Sequence, residues 1–166
     1  FNPSLAGGTS QEASANVRGC FAGLDLRHTR EDLVRAGMEG IAMNLRAVLD
    51  VLRGMTKLGR EMLIVGGGAR SRLWRQILAD VFEMDIVKTS IDQDAGSLGA
   101  AALAAVGAGL WTGFDRVDAI HRKESVERPI TAHSAAYGKL RPAFDYLRRA
   151  QAELGDLLRD IDLDRA

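Results

Sequence analysis

Cysteine, proline and aromatic residues are scarce in this chain, and neither sign of charge is in excess. The single cysteine, Cys20, cannot close an internal disulfide, and no Cys/His cluster has the spacing of a zinc site, which favours a reducing, cytoplasmic setting. The three histidines, His28, His121 and His133, are scattered. Lys and Arg number 22 and so do Asp and Glu, so no electrostatic footprint points to nucleic acid or to an anionic membrane. The longest run of small apolar residues, 96–109, falls short of the ~20 residues that span a bilayer. It is built of Ala and Gly rather than Leu and Ile. A soluble protein is the expectation, and 166 residues suffice for one domain with a real core.

Glycine is what the chain has in plenty, 18 residues of 166, against a usual share of about 7%. The chain opens on Phe1, with neither an initiator Met nor a signal peptide, and reads as cut from something longer. Residues 1–18, rich in Gly, Ser, Asn and Ala, read as an irregular lead-in to a domain over 19–166. Residues 20–24 form a short apolar run compatible with a strand.

The first strong signal is a helix over 29–54. Thr29 offers a capping hydroxyl with an acid, Asp32, three residues on, and apolar residues then recur at Val34, Met38, Ile41, Leu45, Val48 and Leu52. This seam is expected to pack on a sheet rather than in a coiled coil, because Gly37 and Gly40 interrupt it. Residues 61–65 read as a strand stopped by Gly66, Gly67 and Gly68. Ser71 can cap the next helix, whose apolar side carries Leu73, Trp74, Ile77, Leu78, Val81 and Phe82, with Arg72, Arg75 and Asp80 on its polar side. A second strand over 85–88 and a small-residue helix over 94–109 follow, the latter expected to be tightly packed. A last helix is placed at about 141–160, with Phe144, Leu147, Ala150, Leu154, Leu157, Leu158 and Ile161 on its apolar side. Strand, helix, strand, helix predicts a layered α/β domain with parallel pairing.

Three glycines between a strand and a helix let backbone N–H groups approach a ligand, and the helix start adds unpaired donors and partial positive charge. That chemistry suits a phosphate. A P-loop is excluded because no Lys lies between Glu61 and Val87. A dinucleotide fingerprint would place Gly66, Gly68 and Ser71 at its three glycine positions, so one glycine is missing, and Asp85 opens the next strand instead of closing it. A Rossmann-type domain and a non-catalytic interaction domain with a purely structural turn remain as alternatives.

A longer set of segments is more specific. Residues 18–24 (RGCFAGL), 35–42 (RAGMEGIA), 66–71 (GGGARS) with Trp74, Arg75, Gln76 and 79–82 (ADVF), and 98–101 (LGAA) resemble, in order and spacing, the carboxy-terminal domain of the FGGY carbohydrate kinases, the xylulokinase branch in particular. The resemblance covers about 17–111 well. It implies a partial actin-like (ribonuclease H-like) ATPase domain with a mixed sheet flanked by helices. It also implies ATP-dependent phosphorylation of a sugar, a pentulose such as xylulose, in a cleft between two such domains. By position, Gly66, Gly67, Gly68, Ala69, Ser71 and Arg72 would line the nucleotide, with Gly67 and Gly68 near phosphates and ribose and Ala69 and Arg72 beside adenine. Arg72 stands where some relatives have Asn, which removes an acceptor for adenine. ATP with magnesium is the implied cofactor, with no metal ligand assigned in this chain. The general-base Asp and the sugar-binding residues would lie upstream, so these 166 residues alone are expected to be inactive. The surface left by an absent domain leaves room for a homodimer.

Other candidates read as structural. Asp80 and Asp94, as a magnesium pair, give way to a solvated acid and an N-cap; His28 reads as a surface or capping residue, Trp74 as packing, and Cys20 as buried.

Overall fold

The computed structural model describes residues 1–9, 12–91 and 93–161, and divides into two compact units. One holds residues 1–58 together with the segment from Thr131 onward; the other is Gly59–Ile130.

In the first unit, helix α1 (Arg30–Met55) begins where the sequence places it. Thr29 Oγ1 accepts the Asp32 amide at 3.3 Å, and the Asp32 carboxylate accepts the Thr29 amide at 2.8 Å, a reciprocal capping box. Thr29→Ala is expected to lower stability by about 1 kcal/mol in a urea titration. The expected sheet-facing seam is not the buried side of α1. Val34, Ile41, Leu45, Val48 and Leu52 are exposed, whereas Gly40, Ala42, Met43 and Leu49 are buried. Helix α1 groups with α5 (Thr131–Asp160) rather than with the strands. Tyr137 donates to Glu39 at 2.9 Å, and Arg141 pairs with Asp50.

Helix α5 starts ten residues before the predicted 141, and Pro142 lies inside it. Its buried side runs through Phe144, Ala152 and Gly155, while Leu154, Leu157, Leu158 and Ile161 are exposed. The reason is the lead-in, which lies against both helices. A Cβ on Gly40 would stand 2.0 Å from the Phe1 carbonyl oxygen, and one on Gly155 would stand 2.2 Å from that of Asn16. Asn2 and Val17 are fully buried, so the lead-in contributes to this unit's core. The expected strand at 20–24 is absent. Cys20 only bridges Asn2, with amide-to-carbonyl distances of 2.8 and 3.1 Å, and its side chain is half-buried rather than buried.

In the second unit, β1 (Glu61–Ile64), β2 (Asp85–Thr89) and β3 (Lys123–Glu127) form a sheet in the order β1-β2-β3. Strand β1 runs parallel to β2, pairing Glu61 with Asp85 and Ile64 with Lys88; β3 is antiparallel to β2, pairing Val126 with Val87. Helix α2 (Arg72–Phe82) joins β1 to β2 and supplies most of the core through Ile77, Leu78, Ala79, Val81 and Phe82, with Ile86 and Val87 of β2. Burying these apolar side chains at about 25 cal/mol per Å² is the main force holding the unit together. The small-residue helix α3 (Ala95–Gly107) is not tightly packed. Only its Ala102 is buried, and nothing beyond the helix's own neighbouring backbone lies within 4 Å of a Cβ built on Gly96, Gly99 or Gly107. A short α4 (Asp115–Ile120) leads into β3. None of the described helices is long and apolar enough to cross a membrane.

Candidate nucleotide-binding turn

The parallel β1-β2 pair sends both of its C-terminal ends, and the loops that follow them, to one edge of the sheet. In open α/β sheets ligands settle at that edge. The first loop is the glycine turn. Gly66 has φ 83° and ψ −175°, a region that side-chain-bearing residues avoid. The chain then makes a short 3-10 helix, Gly67–Arg70, before α2. The three glycines have different jobs. Gly66 meets the backbone requirement. Gly68 meets a packing one, because a Cβ there would lie 3.0 Å from Trp74 Nε1 and 3.1 Å from Trp74 Cδ1. Gly67 is open, its nearest neighbour being the Gln93 side-chain amide at 4.0 Å from a built Cβ. Gln93 belongs to the loop after β2, so the two strand-end loops face each other here.

Geometry assigns the donors. Ala69 N–H bonds the Gly66 carbonyl at 3.0 Å and Ser71 N–H that of Gly68 at 3.2 Å. The Gly67 and Gly68 amides precede the first carbonyl that a 3-10 turn can offer them, which leaves them without a partner inside that turn. Ser71 caps α2 as predicted, its Oγ accepting the Trp74 amide at 3.2 Å. Its hydroxyl hydrogen stays available to an acceptor. Arg72 is exposed at the start of α2.

Ala69 is fully buried beneath the turn. One expectation changes. Arg75 and Asp80, placed on the polar side of α2, are inside, at 7% and 2% exposure. Arg75 reaches Glu127 at the end of β3 through two hydrogen bonds of 2.7 and 2.8 Å and also donates to the Ala69 carbonyl. Asp80 accepts the Ile130 amide at 2.7 Å and the Gln76 side chain at 2.8 Å. It is therefore neither a solvated acid nor half of a magnesium pair. Asp94 stands at the N-cap of α3 but makes no side-chain cap bond. Trp74 is half-buried and packs on the turn, and His28 accepts the Asp25 amide at 2.9 Å in the loop before α1.

The hydrogen bonds from Arg75 hold the Glu127 carboxyl below the usual carboxylate range, against the opposing effect of burial. A depressed folded-state value means that the pair stabilises the chain above the unfolded carboxyl's ~4.3 and loses that contribution as pH falls through the lower folded value. The melting temperature of the native chain should drop below about pH 4 more steeply than that of Glu127→Gln. Equal slopes would contradict this.

Comparisons with known proteins follow the same outline. Residues 1–108 match the model of the FGGY family of carbohydrate kinases, C-terminal domain. The chain is 33% identical over 163 residues to a xylulose kinase of Staphylococcus epidermidis, covering 95% of this chain and 32% of that protein. It is 33% identical over 150 residues to a gluconokinase of Bacillus subtilis, covering 90% and 29%. Its fold matches that of a ligand-bound xylulose kinase from Lactobacillus acidophilus with TM-score 0.74 and 33% identity, over 83% of this chain and 28% of the other. The chain thus spans about a third of the length of the curated relatives it matches. The fold is a partial actin-like ATPase domain.

Proposed function

The chain belongs to the FGGY family of carbohydrate kinases, to its C-terminal domain, and from that premise we propose that it supplies the nucleotide-binding part of an ATP-dependent sugar kinase. One observation carries this reading. The turn at 66–68 follows the C-terminal end of a parallel strand, is bare of side chains, and presents the Gly67 and Gly68 amides beside the start of α2. Backbone donors of that kind suit the oxygens of ATP, and Ser71 and the exposed Arg72 follow them in the chain at the start of α2. A neutral chain can hold a polyanion this way without a basic patch.

The contribution to chemistry is positioning. In phosphoryl transfer the barrier falls chiefly through alignment and charge stabilisation, which need groups on both sides of the phosphate. In this proposal these residues hold the ATP, whereas the general-base Asp and the groups that read the sugar lie outside the 166 residues. The chain alone is then inactive. Among the described residues no three His, Cys, Asp or Glu side chains converge on a metal position. No magnesium ligand is assigned in this chain, and no step is assigned through the metal. The proposed sugar is a pentulose such as xylulose; gluconate is the rival, because a gluconokinase is as similar as a xylulose kinase.

Titration calorimetry with ATP, ADP and NAD tests the reading on the chain itself. Heat with ATP and ADP but not NAD is the expected result. Preference for NAD would favour a dinucleotide-binding domain, and silence toward all three a purely structural turn.

A further inference from the structure

Beneath the exposed glycine turn lies a buried charge pair that the proposed function does not use. Arg75 comes from the second turn of α2 and Glu127 from the end of β3, and both are nearly sealed from solvent. Two of the three guanidinium nitrogens, Nε at 2.7 Å and Nη2 at 2.8 Å, bind the two carboxylate oxygens. The third, Nη1, binds the carbonyl of Ala69, the residue immediately after Gly68. Ala69 is therefore held at both ends, since its own N–H is already bonded to the Gly66 carbonyl at 3.0 Å. The bond from Ala69 N–H holds the Gly66 carbonyl, whose peptide plane carries the Gly67 amide, and the Gly68 amide lies between that plane and the anchored Ala69, so both amides are restrained. Three successive glycines would otherwise leave those amides many orientations, and ordering them on binding costs affinity. Filling the same space with apolar side chains would avoid burying charge, but it would leave the Ala69 carbonyl without its donor.

We propose that Arg75 is a positioning residue for the nucleotide: clamped by Glu127, its guanidinium fixes Ala69 and so aims the Gly67 and Gly68 amides at the phosphate oxygens. This rests on ATP occupying the turn. The fork geometry is what the role needs, because an ammonium is a point donor and cannot bridge carboxylate and carbonyl in one plane. Arg75→Lys separates the two duties, keeping a charge opposite Glu127 while giving up the planar bridge.

The test is nuclear magnetic resonance of the 166-residue chain, following the Gly67 and Gly68 amide signals with and without ATP, together with the melting temperature. Arg75→Lys is expected to shift both amide signals in the absence of ATP and to weaken ATP binding by about ten-fold. Asp80→Asn is the control. It disturbs a carboxylate as deeply buried, which accepts the Ile130 amide and the Gln76 side chain. It should lower the melting temperature while leaving ATP affinity within about two-fold. Unmoved amide signals in Arg75→Lys, or unchanged ATP affinity, would overturn the proposal. So would an equal loss of affinity in Asp80→Asn at matched stability. If Arg75→Lys does not fold, Glu127→Gln takes its place, with the same amide shifts and the same loss of affinity expected and their absence equally fatal. A native chain that ignores ATP while Arg75→Lys still shifts the glycine amides would sink the nucleotide reading and leave the clamp standing.

Discussion

Gly68→Val is expected to weaken ATP binding by at least about ten-fold while leaving the chain folded. A Cβ at that position already lies 3.0–3.1 Å from the Trp74 indole, tighter than ordinary van der Waals contact, and valine adds two methyl groups beyond it. The indole has to move or the turn has to open. Overpacking of this kind costs about 1–3 kcal/mol, which a half-buried tryptophan can absorb in part. Affinity has less room to adjust, because the Gly68 amide must reach a ligand past the new side chain. Gly67→Ala is the instructive contrast in folding: its nearest neighbour is 4.0 Å away, so stability should change little. Calorimetry on the two variants separates them, and valine at 68 with native affinity would remove the turn from the binding site.

Glu127→Ala is expected to have the largest effect on stability. It leaves the Arg75 guanidinium inside the protein with its charge uncompensated, and breaking a buried pair from one side costs about 3–5 kcal/mol. Set against total stabilities of about 5–15 kcal/mol for ordinary domains, that is enough to bring the unit near its unfolding threshold. Removing both partners is a different matter. Arg75→Met combined with Glu127→Leu should recover most of the loss in urea denaturation, since neither partner's charge is then left buried. A double variant as unstable as Glu127→Ala would mean that the Arg75–Ala69 contact, and not the ion pair, carries the energy.

How much of the fold is legible in the sequence depends on how far each signal reaches along the chain. The start of α1, the stop of β1 at Gly66 and the Ser71 cap of α2 are written in neighbouring residues, and they appear where expected. The same holds for the order β1, α2, β2, α3. Strand β3 is not legible: Lys-Glu-Ser-Val-Glu reads as surface, and what makes it a strand is pairing with β2 across more than thirty residues. The first ten residues of α5 are hidden by Pro142, which reads naturally as a helix start because its missing N–H is harmless there. In the candidate site, the glycines, Ser71 and Arg72 stand at the turn, but Ala69 lies under it. The clamp is invisible for the same reason as β3. Arg75 and Asp80 look like solvated charges until their partners, Glu127 and Ile130, are brought back from fifty residues away.

Helix α3 gives the opposite wall of the turn a different character. Gly96 and Gly99 lie within the helix with nothing beyond its own neighbouring backbone near them, and each costs about 1 kcal/mol relative to alanine. One buried alanine offsets little of that. Such a segment sits at the low end of local stability, so its amides should exchange with solvent by fraying, without any global unfolding of the unit. The loop bearing Gln93 is tethered to this segment, whereas the loop bearing Gly68 is bolted down through Ala69. A ligand entering between them would meet one rigid jaw and one that yields.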